Sequence, residues 1–274
     1  MTGTTPQNAG SEHVLDSSGS LEVRLATTPA EVEAAQRLRY DVFYREMSAK
    51  PSPEMAAAGR DFDAYDPICR HLLVVDRDDN RVVATYRLMR EEAAARSPTG
   101  FYTAGEYDIT AMLKSRSGQR LLELGRSCVE KEFRTGPTMQ LLWRGLLVYL
   151  IRNDVALMFG CASLPGTDPN ALALQLSYLH HFHGTKEAAS VRALPSRYVS
   201  MDLIPKAEID AAEALRSLPP LVKGYVRSGA QIGDGAVIDH QFGTTDVFIY
   251  LPLAQVDPRW IRHLKKKTAS EAAG

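Results

Sequence analysis

Apolar residues recur along this chain with two periods, and each change of period marks a change of element. The first alternating stretch, residues 21–26, reads as a strand. Thr28-Pro29 then opens EVEAAQRLRYDVFYREM, whose apolar positions fall every three to four residues and predict one long helix. From residue 48 to 67 the pattern dissolves into Pro, Gly and acidic side chains, a long irregular loop of the kind that carries function. HLLVV (71–75) and RVVATYRLM (81–89), joined by DRDDN, predict a hairpin. Residues 91–120 are rich in Ala, Gly and Ser and weakly periodic. LLELGRSCV (121–129) is a strand that carries charges inside an apolar run. Thr135-Gly136-Pro137-Thr138 opens the apolar helix MQLLWRGLLVYLIRN, with Pro137 in the first turn, where its missing N–H costs nothing. ALMFGCASL (156–164) predicts a buried strand, Asp168-Pro169 opens the helix ALALQLSYLHHF, and RYVSMDLI (197–204) predicts a further strand. A helix over about 206–217, a helix in PPLVKGYVRSGA, strands in AVIDHQF and DVFIYLPL, and a last helix in DPRWIRHLKKK complete the chain, with no internal repeat.

This order predicts an α/β (α+β) fold on a mixed sheet flanked by helices. Residues 1–20, small and polar, form a flexible lead; 21–265 form one domain with a C-terminal extension from about 206; 266–274 form a flexible tail.

At 274 residues and 45% hydrophobic content the chain can bury a full core. Its 32 basic and 33 acidic side chains nearly cancel, so no global field concentrates nucleic acid or holds the whole protein on an anionic membrane. Cys69, Cys128 and Cys161 form no CxxC pair, which argues against a disulfide framework or a structural zinc site. Cys128, in an apolar strand, reads as core rather than nucleophile. No stretch reaches the roughly 18 to 20 apolar residues of a membrane span and no signal pattern opens the chain, so the expectation is a cytoplasmic protein.

A charge at a core-facing position needs a partner or costs several kcal/mol, so charges inside apolar elements mark candidate chemistry. Four clusters qualify: Arg39 with Phe43 in RYDVF, four residues apart on a helix; Asp61, Asp63 and Asp66 in DFDAYD; Arg87 in TYRLM; and Glu123 with Arg126 in ELGR.

Taken in order, RYDVF, DFDAYD, TYRLM and ELGRSCV resemble the signature of acyl-homoserine-lactone synthases and their relatives, GNAT-fold enzymes that move acyl groups from acyl carrier protein to an amine. Two departures separate this chain from the lactone synthases. The tryptophan they carry shortly after the VF pair is missing in VFYREMSAK, and about 70 further C-terminal residues follow. That added region resembles the ornithine N(alpha)-acyltransferases, once described as haemolysin-like, and the resemblance spans about residues 21–265.

The resemblance implies a GNAT-like mixed sheet and a 3-hydroxyacyl transfer from acyl carrier protein to the α-amine of L-ornithine, giving lyso-ornithine lipid. It implies catalytic roles for Glu123, Asp63 and Asp66. Substrate-binding roles fall to Arg39, Phe43, Arg87, Arg126 and His71, with any of the three arginines as holder of the substrate carboxylate. The phosphate-cradling loop of such enzymes lies at a helix N-terminus, here Arg134, Thr135, Gly136 and Thr138 of RTGPT. Its second glycine is absent and Pro137 removes an N–H, which favours a carrier-protein donor over acetyl-CoA. No separate cofactor is implied beyond the 4'-phosphopantetheine on the carrier protein, no metal, and no nucleic-acid partner.

Alternatives of other kinds are a lactone synthase using S-adenosylmethionine and a non-catalytic carrier-binding or membrane-active protein. His180, His181 and His183 in LHHFHG read as non-ligating, with no acidic neighbour in sequence. RWIRHLKKK, with Trp260, Ile261 and Leu264 among bases, reads either as a solvated terminal helix or as a peripheral contact with the inner face of the cytoplasmic membrane.

Overall fold

A computed structural model describes residues 13–184 and 190–256. Strands β1 (Val14–Ser18) and β2 (Leu21–Leu25) precede helix α1 (Pro29–Tyr40). The first of these strands lies within the segment expected to be a flexible lead: its Leu15 is buried in the main core, and its Asp16 is held by Arg144 at 2.7 Å. Thr28 caps α1 in a reciprocal box, its hydroxyl accepting from Glu31 N at 3.3 Å while the Glu31 carboxylate accepts from Thr28 N at 3.1 Å. The helix then widens into a π-turn, Asp41–Glu46, instead of continuing as one α-helix. Helix α2 (Pro53–Ala58) interrupts the acidic loop.

The expected hairpin is present as β3 (Arg70–Asp76) and β4 (Arg81–Arg90). Two short helices, α3 (Glu91–Ala94) and α4 (Thr110–Ser115), flank the two-residue strand β5 (Tyr107–Asp108). Strand β6 (Arg120–Val129), helix α5 (Gly136–Arg152), strand β7 (Val155–Pro165) and helix α6 (Ala173–His183) follow. Then come β8 (Arg192–Ala193), α7 (Ala211–Ser217), α8 (Pro220–Arg227), β9 (Gln231–Asp239) and β10 (Thr244–Pro252). Trp260 and the rest of the expected last helix lie outside the described residues.

The segment RYVSMDLI is not a strand. Val199 makes one two-bond bridge with Ala236, and the next backbone groups go to a side chain: Ser177 Oγ accepts from Leu203 N at 3.0 Å and Ile204 N at 2.9 Å and donates to Met201 O at 3.1 Å. A buried hydroxyl thus does what a ladder would have done.

The strands form one mixed sheet in the order β1-β2-β3-β4-β6-β7-β10-β9-β8-β5. Neighbours run antiparallel except β6–β7 and β8–β9. Both faces are covered, and alternation along β3 shows how. Leu72 and Val74 join the core that includes α5, whereas Leu73 and Val75 pack with Ala35 of α1. The α5 face is close-packed at Gly145, where a Cβ would come within 2.4 Å of Val23 Cγ2. Strand β10 is buried at all nine positions.

Candidate active site

The parallel ladder between β6 and β7 is short. It runs from Arg120↔Val155 to Glu123↔Phe159 and then stops, while β6 continues along β4 and β7 continues along β10. The sheet therefore opens into a wedge between the strands carrying ELGRSCV and ALMFGCASL. Two local features turn the strands apart. Arg126 adopts φ 51°, and at this bulge Arg126 and Ser127 together oppose Tyr86 on β4. At the vertex, Gly160 lies so close to β6 that a Cβ would stand 2.3 Å from the Leu124 carbonyl oxygen. A cavity of about 510 Å³ fills the wedge. Its wall combines apolar groups such as Val42, Met139, Pro220 and Leu221 with the charged and polar groups Arg87, Arg126, Glu123, Asp239, Thr244 and Asp246.

A lattice of arginines and aspartates runs from the cavity wall inward. Arg39, fully buried, places Nε 2.7 Å from Asp61 Oδ2 and an amino nitrogen 2.8 Å from Asp66 Oδ2. Arg87 reaches Asp63 at 2.6 Å and Asp66 at 3.5 Å. Arg126 stands 3.5 Å from Asp61 and 3.4 Å from Asp63, its guanidinium between the rings of Tyr102 and Phe242. Three cations thus face three carboxylates. Burial alone would raise the Asp66 carboxyl, but the charge and hydrogen bonds of Arg39 hold it below the usual carboxylate range. His71, pushed down by burial, puts Nε2 3.1 Å from the Asp66 carbonyl oxygen.

The residues picked from sequence therefore separate into two groups. Phe43, Arg87, Glu123 and Arg126 line the cavity, whereas Arg39, Asp61, Asp63, Asp66 and His71 stand behind it and hold it. Arg39 and Phe43 were expected to share a helix face. The π-turn that begins between them sends Phe43 to the cavity and leaves Arg39 against the acidic loop.

Glu123 is 4% exposed and both its oxygens are bound, Oε2 by Tyr102 N at 2.8 Å and Oε1 by Thr103 N at 2.6 Å. Burial raises its carboxyl, and the Thr103 and Tyr102 amides offset part of that rise. It therefore anchors the turn Tyr102–Gly105 while facing the cavity.

At the helix start, Thr135 caps α5 with its hydroxyl 3.5 Å from Thr138 N and 3.1 Å from Thr138 Oγ1. Arg134 donates to Val129 O at 2.9 Å and pairs with Glu46 at 2.7 Å on the cavity rim. Gly136 is open, with nothing within 4 Å of an added Cβ.

The cysteines are free thiols, and burial pushes Cys128 up to about 12, which disfavours a nucleophilic thiolate. The LHHFHG segment has an acidic neighbour after all: Asp202, distant in sequence, pairs with His181 at 2.9 Å beside His180.

Several cavity residues were missed from sequence, among them Tyr86, whose hydroxyl lies 2.6 Å from that of Tyr225, and the carboxylates Asp239 and Asp246. Asp246 carries the same mark as Glu123, a charge inside an apolar strand; Asp239, at a turn, has no such mark.

The acetyltransferase (GNAT) domain family matches residues 38–144. The chain is 50% identical over 273 residues to an L-ornithine N(alpha)-acyltransferase of Brucella abortus (strain 2308), covering 96% of this chain and 97% of that protein. It is 46% identical over 250 residues to the enzyme of the same name from Agrobacterium fabrum (strain C58 / ATCC 33970), covering 89% and 85%. Among solved structures it is similar to an N-acyl amino acid synthase from uncultured soil microbes, with 11% identity, TM-score 0.48, and coverage of 88% of this chain and 92% of that one.

Proposed function

Since the chain belongs to the L-ornithine N(alpha)-acyltransferase family and is a GNAT-fold acyltransferase, we propose that it moves a 3-hydroxyacyl group from acyl carrier protein to the α-amine of L-ornithine. The product is lyso-ornithine lipid. The observation that carries this reading is the wedge cavity between β6 and β7, whose wall joins apolar side chains to a cluster of charged ones and holds buried Glu123.

An acyl chain suits the apolar groups of the wall, and an amino acid suits the charged ones. The pantetheine arm enters between β6 and β7, where the backbone groups beyond Glu123 no longer ladder to β7 and amides are left to bind a carbonyl. Arg134, Thr135, Gly136 and Thr138 at the start of α5 are the proposed rest for its phosphate, with Arg134 exchanging Glu46 for that group.

Arg126 is the arginine best placed for the substrate carboxylate. It lines the cavity and has no close pair, standing 3.5 Å from Asp61 and 3.4 Å from Asp63, whereas Arg39 and Arg87 each hold an aspartate at 2.7 Å or less. Asp63 and Asp66 act through the arginines they orient.

Glu123 takes a proton from the α-ammonium, directly or through water, and its raised affinity for protons suits that task. The freed amine attacks the thioester carbonyl carbon, a C–N bond forms, and the tetrahedral oxyanion collapses with cleavage of the C–S bond. The departing thiolate takes up the proton that the nitrogen loses. No metal or covalent enzyme intermediate enters these steps.

The test is mass spectrometry of purified protein incubated with 3-hydroxyacyl carrier protein and ornithine, lysine, glutamine or S-adenosylmethionine. Acylated ornithine is the expected product, and Glu123→Ala is expected to lower its rate by about 10²- to 10⁴-fold. Acyl-homoserine lactone from S-adenosylmethionine would overturn the assignment in favour of a lactone synthase. A protein that binds carrier protein but acylates no acceptor would overturn it in favour of a binding function.

A further inference from the structure

Past the turn anchored by Glu123 lies a second group of acids that the reaction steps above leave unused. Glu106, Asp239 and Asp246 each bring a carboxylate oxygen within 4.8 Å of the others. They come from three elements: the end of the turn Tyr102–Gly105, the end of β9 and the start of β10. The backbone assembles them firmly. Tyr107 donates to Asp246 O at 2.9 Å and Gly235 O at 3.2 Å, Leu194 N donates to Glu106 O at 2.9 Å, and Glu106 N donates to Thr103 O at 2.9 Å.

Their charge is poorly compensated, in contrast to the arginine–aspartate lattice. Arg197 approaches Glu106 Oε1 at 3.5 Å from a half-exposed position. Asp246 accepts from the Thr244 hydroxyl at 2.9 Å, and Asp239 Oδ1 accepts from the amides of Gln241 at 2.8 Å and Phe242 at 3.0 Å. Glu106 is 4% exposed, and its buried Oε2 has no N–H or O–H donor among the described residues, the neighbouring Cys161 thiol being a weak donor at best. A buried acceptor left open beside two more carboxylates is costly unless something cationic completes it. Burial, followed by the charge of Asp246, pushes Glu106 up to about 7, as an acid awaiting a counter-charge would be.

We propose that Glu106, Asp239 and Asp246 form the receptor for the side-chain ammonium of the diamino acid acceptor, and so set its length and charge specificity. This deepens the reading given above and rests on it. An ammonium has three N–H donors, and three acceptors placed tetrahedrally at about 2.8 Å lie about 4.6 Å apart, a spacing the trio can meet.

The position fits as well. Asp239 and Asp246 line the same cavity as Glu123, and Glu106 beside them follows three residues after Thr103, whose amide binds Glu123. Ornithine, lysine and 2,4-diaminobutyrate hold the side-chain ammonium at reaches that differ by one methylene, so a receptor fixed relative to Glu123 selects among them.

The test compares kcat/KM for ornithine, lysine, 2,4-diaminobutyrate and norvaline, which lacks the δ-amine, in the wild type and in Asp246→Asn, Asp239→Asn and Glu106→Gln. Circular dichroism checks each fold; the exchanges keep size and one acceptor oxygen while removing the charge. The wild type is expected to prefer ornithine over norvaline by at least about 100-fold, and each exchange to cut that ratio by at least about 30-fold through loss on ornithine. Equal losses on ornithine and norvaline would overturn the proposal and make the trio structural. Loss of ornithine preference on chelation, restored by Mg²⁺ or Mn²⁺, would overturn it in favour of a divalent-cation site.

If the wild type acylates no acceptor, the reading of the reaction fails by itself. Calorimetric binding then decides the receptor: ornithine binding more tightly than norvaline in the wild type but not in Asp246→Asn supports it, and no difference overturns it.

Discussion

At the scale of single residues, the side chains that matter are those whose charge conflicts with their surroundings. Glu123, Arg87 and Arg126 were legible because each interrupts an apolar strand, and each lines the cavity. Arg39 and Asp66 bear the same signature for another reason, since they balance each other behind it. Sequence marks a buried charge without saying which side of a wall it faces. Glu106 yields a prediction about pH. Its folded proton affinity, near 7 against an ordinary value of 4.5, means that the native state binds more protons than the unfolded chain between those pH values. Stability therefore falls as pH rises through that window, by up to about 3 kcal/mol. In Glu106→Gln this loss should vanish. Chemical denaturation at pH 5 and pH 8 should show the variant more stable than the wild type at pH 8, with little difference at pH 5; an unchanged wild-type slope in the variant would show that other groups carry it. The same substitution is expected to weaken acceptor selection, a case of stability surrendered for function.

At the scale of elements, the apolar pattern identified the long helices and the paired strands, as period in α5 and as a short continuous apolar run in β10, which is buried on both faces. It failed where non-local groups intervene. RYVSMDLI has the residues of a strand, yet Ser177 on α6 takes its amides. The π-turn after α1 changes the face that Phe43 presents, and no spacing rule applied to an ideal helix would show that. The wedge itself depends on Gly160. In Gly160→Ala the new methyl would meet the Leu124 carbonyl oxygen at 2.3 Å, so the strands must shift; a loss of about 1–3 kcal/mol is expected, with a fall in activity larger than the stability loss explains. Thermal melts together with initial rates test this, and wild-type values for both would mean that the vertex tolerates spreading. Glu123→Ala makes a separate demand on the turn it anchors: hydrogen exchange should accelerate at Tyr102 and Thr103, whose amides lose their acceptors.

At the scale of the whole molecule, the near-neutral composition conceals a strong internal partition. Three arginines and three aspartates cancel in and behind the cavity wall, while the acids near Glu106 do not cancel. Breaking the lattice from one side should be costly: Asp66→Ala leaves Arg39 short of a buried partner and is expected to cost about 3–5 kcal/mol, whereas the double substitution Arg39→Met with Asp66→Leu should cost less than the sum of the two single changes. Urea denaturation of the three variants measures that coupling, and simple additivity would mean that the pair is not a unit. No described helix is long and apolar enough to cross a membrane. The order of strands in the sheet was the least legible feature, because it depends on pairings made far apart along the chain.

One such pairing has a consequence for synthesis. Strand β7 finds β10 along nine consecutive registers, from Thr244↔Pro165 to Pro252↔Leu157, but holds β6 only as far as Phe159. A ribosome making about 5–20 residues per second needs on the order of ten seconds to travel from one strand to the other. During that interval the nascent chain carries an unpaired, largely apolar sheet edge, the kind of surface that recruits chaperones or other unfinished copies. Chains stopped before residue 244 should keep that edge for good and be cleared or aggregate, so the cavity wall and the solubility of the protein arrive together with β10.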